Sequence, residues 1–180
     1  MKIKTLTQIG VISVFLIGIT SNALCQDYPT IEVVDVSAQT ALVLKAEVKS
    51  TEVGSKIGEM YGNLFTYINS NNLQMVGNPF AVYYSYDPQG NTSFEAACPV
   101  INGTKGNDSI LYKEFPAMKV VCTIYQGTYE SMEPVYIKLM DYMKINNLKS
   151  TGPSWEVYLT DPSTIKDPNE NRTMIYFPVE

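Results

Sequence analysis

The sequence predicts an α+β domain: two β-α-β-β units forming one antiparallel-rich sheet, with two helices on one face and a central cleft on the other. Three observations predict it. Several short runs alternate apolar and polar residues, or are rich in aromatic and β-branched ones, as strands are. Twice the apolar period lengthens to three and four residues, the mark of an amphipathic helix. Stretches of the first half of the chain also recur, in order, in the second.

Residues 1–25 read as a secretory signal peptide. Lys2 and Lys4 give a basic start, Ile9 to Ile19 is an apolar run too short to span a bilayer, and Ala23-Leu24-Cys25 suits cleavage before Gln26. Lipidation at Cys25 is the alternative, disfavoured because Leu24 is bulky. The expectation is an exported protein, periplasmic or secreted, with no stable membrane span. Without Lys2 and Lys4, the thirteen basic residues fall to eleven against eighteen acids, a net charge of −7. A chain this acidic, with no histidine and no basic run, is a poor nucleic-acid binder. It offers no credible metal site, and no cofactor is expected. About 155 residues make one ordinary domain. Residues 26–40 read as an N-terminal extension and 41–180 as the folded unit: a first repeat at 41–101, a connection at 102–115 and a second repeat at 116–180. Export permits a disulfide between Cys98 and Cys122, while their apolar, strand-like surroundings suit buried thiols.

Along the chain, Ile31 to Val36 and Ala41 to Ser50 are strand-like. Between Thr51 and Asn71, Val53, Ile57, Met60, Leu64 and Ile68 share one face of a helix. Gly54, Gly58 and Gly62 lower its propensity, and their spacing of four suggests a close approach of helix to sheet. Phe80 to Tyr86 and Phe94 to Val100 read as strands joined by the turn Asp87-Pro-Gln-Gly90. After the Gly/Asn/Asp-rich connection, a second helix from Ser131 to Asn147 turns Met132, Val135, Tyr136, Leu139 and Met143 inward. Pro134 belongs in its first turn, which makes Ser131 the expected cap. Four Asn-X-Ser/Thr triplets, at Asn91, Asn102, Asn107 and Asn171, read as turns more readily than as glycosylation sites.

The repeat is visible residue by residue. Leu44-Lys-Ala-Glu-Val48 lines up with Met118-Lys-Val-Val-Cys122, and Leu64, Phe65 and Tyr67 with Leu139, Met140 and Tyr142. Asn71-Asn72-Leu73 meets Asn146-Asn147-Leu148, Phe80-Ala-Val-Tyr83 meets Trp155-Glu-Val-Tyr158, and Pro99-Val100 meets Pro178-Val179. In the strand after the second helix, Trp155, Val157 and Leu159 form an apolar face that suits a covering helix. Glu156, Tyr158 and Thr160 form the other, expected to be the open one. Glu156 corresponds to Ala81, so the acid appears in one copy only, whereas a requirement of the fold is expected in both. A carboxylate beside Tyr83 and Tyr158 suits flat, hydrophobic, often cationic molecules. Tyr61, Tyr125 and Tyr129 lie at helix starts or strand ends near the mouth of the expected cleft. The plain alternatives are a Glu156 paired with a nearby lysine, and tyrosines that merely cover the core.

Phe115-Pro-Ala117, Tyr125-Gln-Gly-Thr-Tyr129, Leu148 to Gly152, Trp155-Glu-Val-Tyr-Leu-Thr-Asp-Pro162 and Thr173-Met-Ile-Tyr-Phe-Pro-Val179 come in an order and spacing that resembles the gyrase-inhibitor-like (GyrI-like) small-molecule-binding family. That family is related to the effector-binding domains of AraC- and MerR-type regulators. The resemblance covers roughly Ala41 to Glu180 and is clearer in the second half. It implies a duplicated β-α-β-β fold whose cleft binds aromatic or cationic compounds, with a glutamate at the place of Glu156 as the acidic contact. Some members look like hydrolases of reactive natural products that pair a comparable acid with a tyrosine. This chain departs from the regulators in having a signal peptide and no DNA-binding segment.

Three functions follow as expectations. The first is an exported module that binds a small aromatic or cationic ligand through Glu156, Tyr158, Tyr83, Tyr61 and Tyr125. The second is a small hydrolase of electrophilic compounds using Glu156 and a tyrosine, since the absence of histidine excludes a Ser-His-Asp mechanism. The third is an envelope module that docks a partner chain on its open face or sheet edge.

Overall fold

The computed structural model describes residues 30–180, so the signal-peptide and Cys25 readings lie outside the described residues. The elements run β1 (Glu32–Val36), β2 (Gln39–Lys49), α1 (Val53–Ser70), β3 (Phe80–Tyr86), β4 (Asn91–Pro99), β5 (Leu111–Phe115), β6 (Met118–Gln126), α2 (Glu133–Ile145), β7 (Ser154–Tyr158) and β8 (Arg172–Pro178). The strands form one sheet in the order β1-β6-β8-β7-β3-β4-β2-β5, antiparallel throughout.

The register makes the duplication explicit. At the centre β3 pairs with β7, and Ala81 stands opposite Glu156, between the pairs Phe80–Val157 and Val82–Trp155. Exchanging the two halves maps these flanking pairs onto each other. The pseudo-twofold axis therefore passes through Ala81 and Glu156. Outward, β4 and β8 correspond, then β2 and β6. The leading strands are exchanged: β1 hydrogen-bonds to β6 of the other half, and β5 to β2. Both helices end in the same way. Asn71 and Asn146 each donate from the side-chain amide to the carbonyl four residues back, at 2.9 and 2.8 Å. Asn72 and Asn147 follow with φ of 52° and 55°, the left-handed conformation that asparagine tolerates better than other side chains.

Both helices lie on one face, each in its own core. Met60, Leu64 and Ile68 of α1 pack on Leu42, Phe94, Ala96 and Cys98. Val135, Leu139 and Met143 of α2 pack on Val121, Ile175 and Val179. The helix-free face holds a third cluster. Phe80 and Trp155, equivalent by the pseudosymmetry, stack with centroids 4.9 Å apart, and Phe115 meets both edge-on at 5.2 and 5.0 Å. Phe115 sits on an edge strand four places from β7. In a flat sheet they would be about 19 Å apart at the usual strand spacing. The sheet therefore curls strongly around this aromatic cluster.

The structure corrects several expectations. Trp155 and Val157 face the curl, not a helix, so Glu156 lies on the helix-bearing face. Residues 111–115, expected as part of a connection, form the edge strand β5. Leu44 stands opposite Ala96 and Thr123 opposite Ile175, so Leu44 corresponds to Thr123 rather than Met118. The cap position of α2 is Met132, and Ser131 belongs to the preceding 3-10 turn. Cys98 and Cys122 are free and buried; Cys98 lies under α1 and Cys122 on the opposite face, so no bridge forms. A Cβ at Gly54, Gly58 or Gly62 would meet nothing within 4 Å, so these glycines point outward and permit no close approach.

Alanine at Gly58 therefore costs no space and restricts the unfolded chain. Gly58→Ala should raise stability by about 0.5–1 kcal/mol, read from chemical denaturation.

Candidate functional site

The furrow between α1 and α2 is floored by the central strands β3 and β7. Strand alternation brings Ala81 and Tyr83 from β3, and Glu156 and Tyr158 from β7, to this surface. The helices supply equivalent side walls: Tyr61 from α1 and Tyr136 from α2. Two pairs of matching tyrosines thus surround an axis where one half presents a carboxylate and the other a methyl group.

Glu156 is only 9% exposed. The Tyr136 hydroxyl donates to its Oε1 at 2.6 Å. The Tyr158 and Tyr83 hydroxyls donate to its Oε2 at 3.0 and 3.2 Å and lie 3.4 Å from each other. Tyr61 and Tyr129 meet the Tyr158 ring edge-on, at 5.8 and 6.0 Å between centroids. Tyr129, in the turn before α2, is 39% exposed and forms the outer rim.

The electrostatics follow from this burial. Desolvation raises the Glu156 carboxyl above the ordinary carboxylate range, and the hydrogen bonds from Tyr136, Tyr158 and Tyr83 pull it part of the way back. Burial, and then the neighbouring acid, hold the phenols of Tyr83 and Tyr136 well above their usual value. Tyr158 is raised by burial and by Tyr83 and Glu156. The other buried acid among the described residues, Glu95 on the helix-free face, has a different solution. Lys113 pairs with it at 2.6 Å and Tyr84 donates to it at 2.7 Å. Glu156 is held by tyrosine hydroxyls, and the ion pairs Lys56–Glu59, Lys113–Glu95 and Lys119–Asp35 all lie elsewhere.

Of the residues singled out from sequence, Glu156, Tyr158, Tyr83 and Tyr61 come together here. Tyr125 stands apart: its hydroxyl donates to the Thr128 carbonyl at 3.0 Å and its ring packs with the α2 cluster. Its place is set by Gly127, whose φ of 149° and close approach to the Tyr125 hydroxyl leave no room for a side chain. Sequence reasoning assigned Tyr136 to the core and missed its hydroxyl. The signal was present, because the spacing that matches Leu64 with Leu139 also matches Tyr61 with Tyr136.

The raised carboxyl has a thermal consequence. Folded Glu156 keeps its proton over a range where the unfolded chain has released it. Its contribution to stability is complete below the unfolded carboxyl value, about pH 4.3, and is lost as the pH rises through the folded value. Glu156→Gln should therefore match the wild type in melting temperature near pH 4 and exceed it by several degrees near pH 8, as calorimetric scans across pH will show.

Comparison with solved structures places this architecture. The chain superposes on EcmrR in its DNA complex with a TM-score of 0.76 at 22% identity, over 84% of this chain and 57% of that one. It thus spans little more than half of that longer protein. The EcmrR C-terminal domain alone matches with a TM-score of 0.72 at 22% identity, over 84% and 98% of the two chains. A structure described as a hydrolase from Listeria innocua gives 0.62 at 12% identity, over 83% and 91%. SAV2435 bound to tetraphenylphosphonium gives 0.56 at 14%, over 84% and 94%. These likenesses are likenesses of fold. No curated protein matches the chain in sequence. Residues 29–180 do match the GyrI-like small molecule binding domain, which covers both repeats and the tyrosine-lined furrow. The chain belongs to the GyrI-like small molecule binding domain family.

Proposed function

We propose that this domain binds hydrophobic, aromatic cations in the furrow between its helices, with Glu156 as the charge contact and Tyr83, Tyr158, Tyr61 and Tyr136 as walls. The observation that carries the reading is a buried carboxyl group on the axis that, among the described residues, is held by neutral hydroxyls alone. A buried acid partnered in this way remains costly to ionise, and a cation entering the site supplies the missing charge. The aromatic faces add cation–π attraction. The furrow is filled by its own side chains, so a ligand displaces hydroxyls and swings rings aside, beginning with Tyr129 at the rim. Tetraphenylphosphonium, the compound in the SAV2435 structure, is of the expected kind. The acidic balance of the chain favours such ligands over nucleic acid. The basic start and apolar run of residues 1–25 support export before binding.

Titration calorimetry with tetraphenylphosphonium tests the reading. The wild type should bind, Glu156→Gln should bind about tenfold or more weakly, a loss of about 1.4 kcal/mol or more, and wild-type affinity should rise with pH as Glu156 ionises. Unchanged affinity in Glu156→Gln sinks the charge contact.

A second reading rests on the same raised carboxyl. Once ionised, Glu156 can take a proton from water as the water adds to an electrophilic carbon, while Tyr83 or Tyr158 donates to the departing oxygen. Styrene oxide is a simple probe: hydrolysis by the wild type, lost in Glu156→Gln, supports turnover. Equal turnover in both proteins rules that mechanism out.

A further inference from the structure

The four inner tyrosines are two equivalent pairs, yet their hydroxyls are not equally served. Tyr83, Tyr158 and Tyr136 all donate to Glu156. Tyr61, the counterpart of Tyr136, stands on the half where alanine replaces the acid. Its hydroxyl oxygen is fully buried beside the backbone amide of Ala97, and among the described residues its proton finds no acceptor. An unpaired buried hydroxyl is costly, and most are satisfied. This one is unsatisfied for a definable reason: the equivalent of its acceptor is the methyl group of Ala81, itself 0% exposed.

The orphan hydroxyl belongs to the same site as the acid. The Tyr61 ring meets Tyr158 edge-on, and Tyr158 is bonded to Glu156. Burial, and then the charges of Cys98 and Tyr83, raise the Tyr61 phenol well above its usual value against a smaller opposing pull from the Ala97 backbone, so it remains a neutral donor across the physiological range. A phenol can donate or accept. The other three tyrosines of the cage all donate to the carboxylate, and a donor is what the Ala81 side holds in reserve.

Resting on the cation-binding reading above, we infer that the ligand is bipolar: a hydrophobic cation whose charge meets Glu156 and which also carries a neutral hydrogen-bond acceptor, a carbonyl or ether oxygen, for the Tyr61 hydroxyl. The asymmetry of the cage gives the ligand a direction. Its charged end lies toward the second repeat and its acceptor toward the first. Tyr61 selects among cations, and Glu156 selects for charge.

A matched pair of probes tests this: (2-phenylethyl)trimethylammonium, and its analogue (2-oxo-2-phenylethyl)trimethylammonium, in which a carbonyl replaces one methylene. Calorimetry on the full chain should show the carbonyl compound bound about fivefold more tightly by the wild type, the scale of one neutral hydrogen bond. In Tyr61→Phe that preference should vanish, the carbonyl compound losing more affinity than the plain cation. Equal affinity of the wild type for both probes overturns the inference while leaving cation binding intact. So does a preference that survives in Tyr61→Phe. Failure of the wild type to bind either probe, or affinities untouched by Glu156→Gln, overturns the cation-binding reading and this inference with it.

Discussion

A single carboxylate buried on an axis of near-symmetry is the constraint around which this domain is arranged. Duplication builds the same surface twice, and any group on the axis meets its own equivalent. Two glutamates there, directly opposite across β3 and β7, would repel at close range in a low-dielectric setting. One glutamate and one alanine avoid that repulsion, and the matching tyrosines from both halves then converge on one acid. The pairing of Ala81 with Glu156 is thus the condition under which a charge can occupy the centre at all.

The rest of the architecture holds that centre in place. On the far side of the sheet, directly behind Ala81 and Glu156, Phe80 and Trp155 stack at 4.9 Å and Phe115 packs across both. This cluster curls the sheet and fixes the spacing of β3 and β7. On the near side, α1 and α2 are seated by separate apolar cores that leave the furrow between them to tyrosine alone. Rigid aliphatic packing lies at the flanks, and adaptable hydrogen bonding lies in the middle. A binding site that must rearrange benefits from that division.

Much of this was legible in the chain. The helical stripes, the turn at Asp87-Pro-Gln-Gly90 and the paired Asn-Asn-Leu helix ends depend on local chemistry, and each appears where the residues place it. The contrast of Glu156 with Ala81 singled out the acid because duplication provides an internal control. The face on which it lies was not legible. Alternation separates two sets of side chains without saying which set a helix covers, and the apolar Trp155-Val157 set suits a curled sheet interior as well as a helix. The strand Leu111–Phe115 was obscured by its charged residues and by the glycine-rich run before it, and its pairing with β2 is a long-range event. The role of Tyr136 was hidden by its place in an apolar helical stripe, where a phenol counts as core until a partner for its hydroxyl is known.

The exchange of leading strands has a bearing on how the chain reaches this state. As the protein is synthesised, Glu32–Val36 has no mate until Met118–Gln126 exists, and β2 gains its outer neighbour only once the linker between the repeats has passed. Each repeat takes an outer strand from the other's stretch of chain, so the sheet is complete only once both halves have been made. The two halves are interdependent: losing Glu32–Val36 strips an edge from the second half, and losing Leu111–Phe115 strips one from the first.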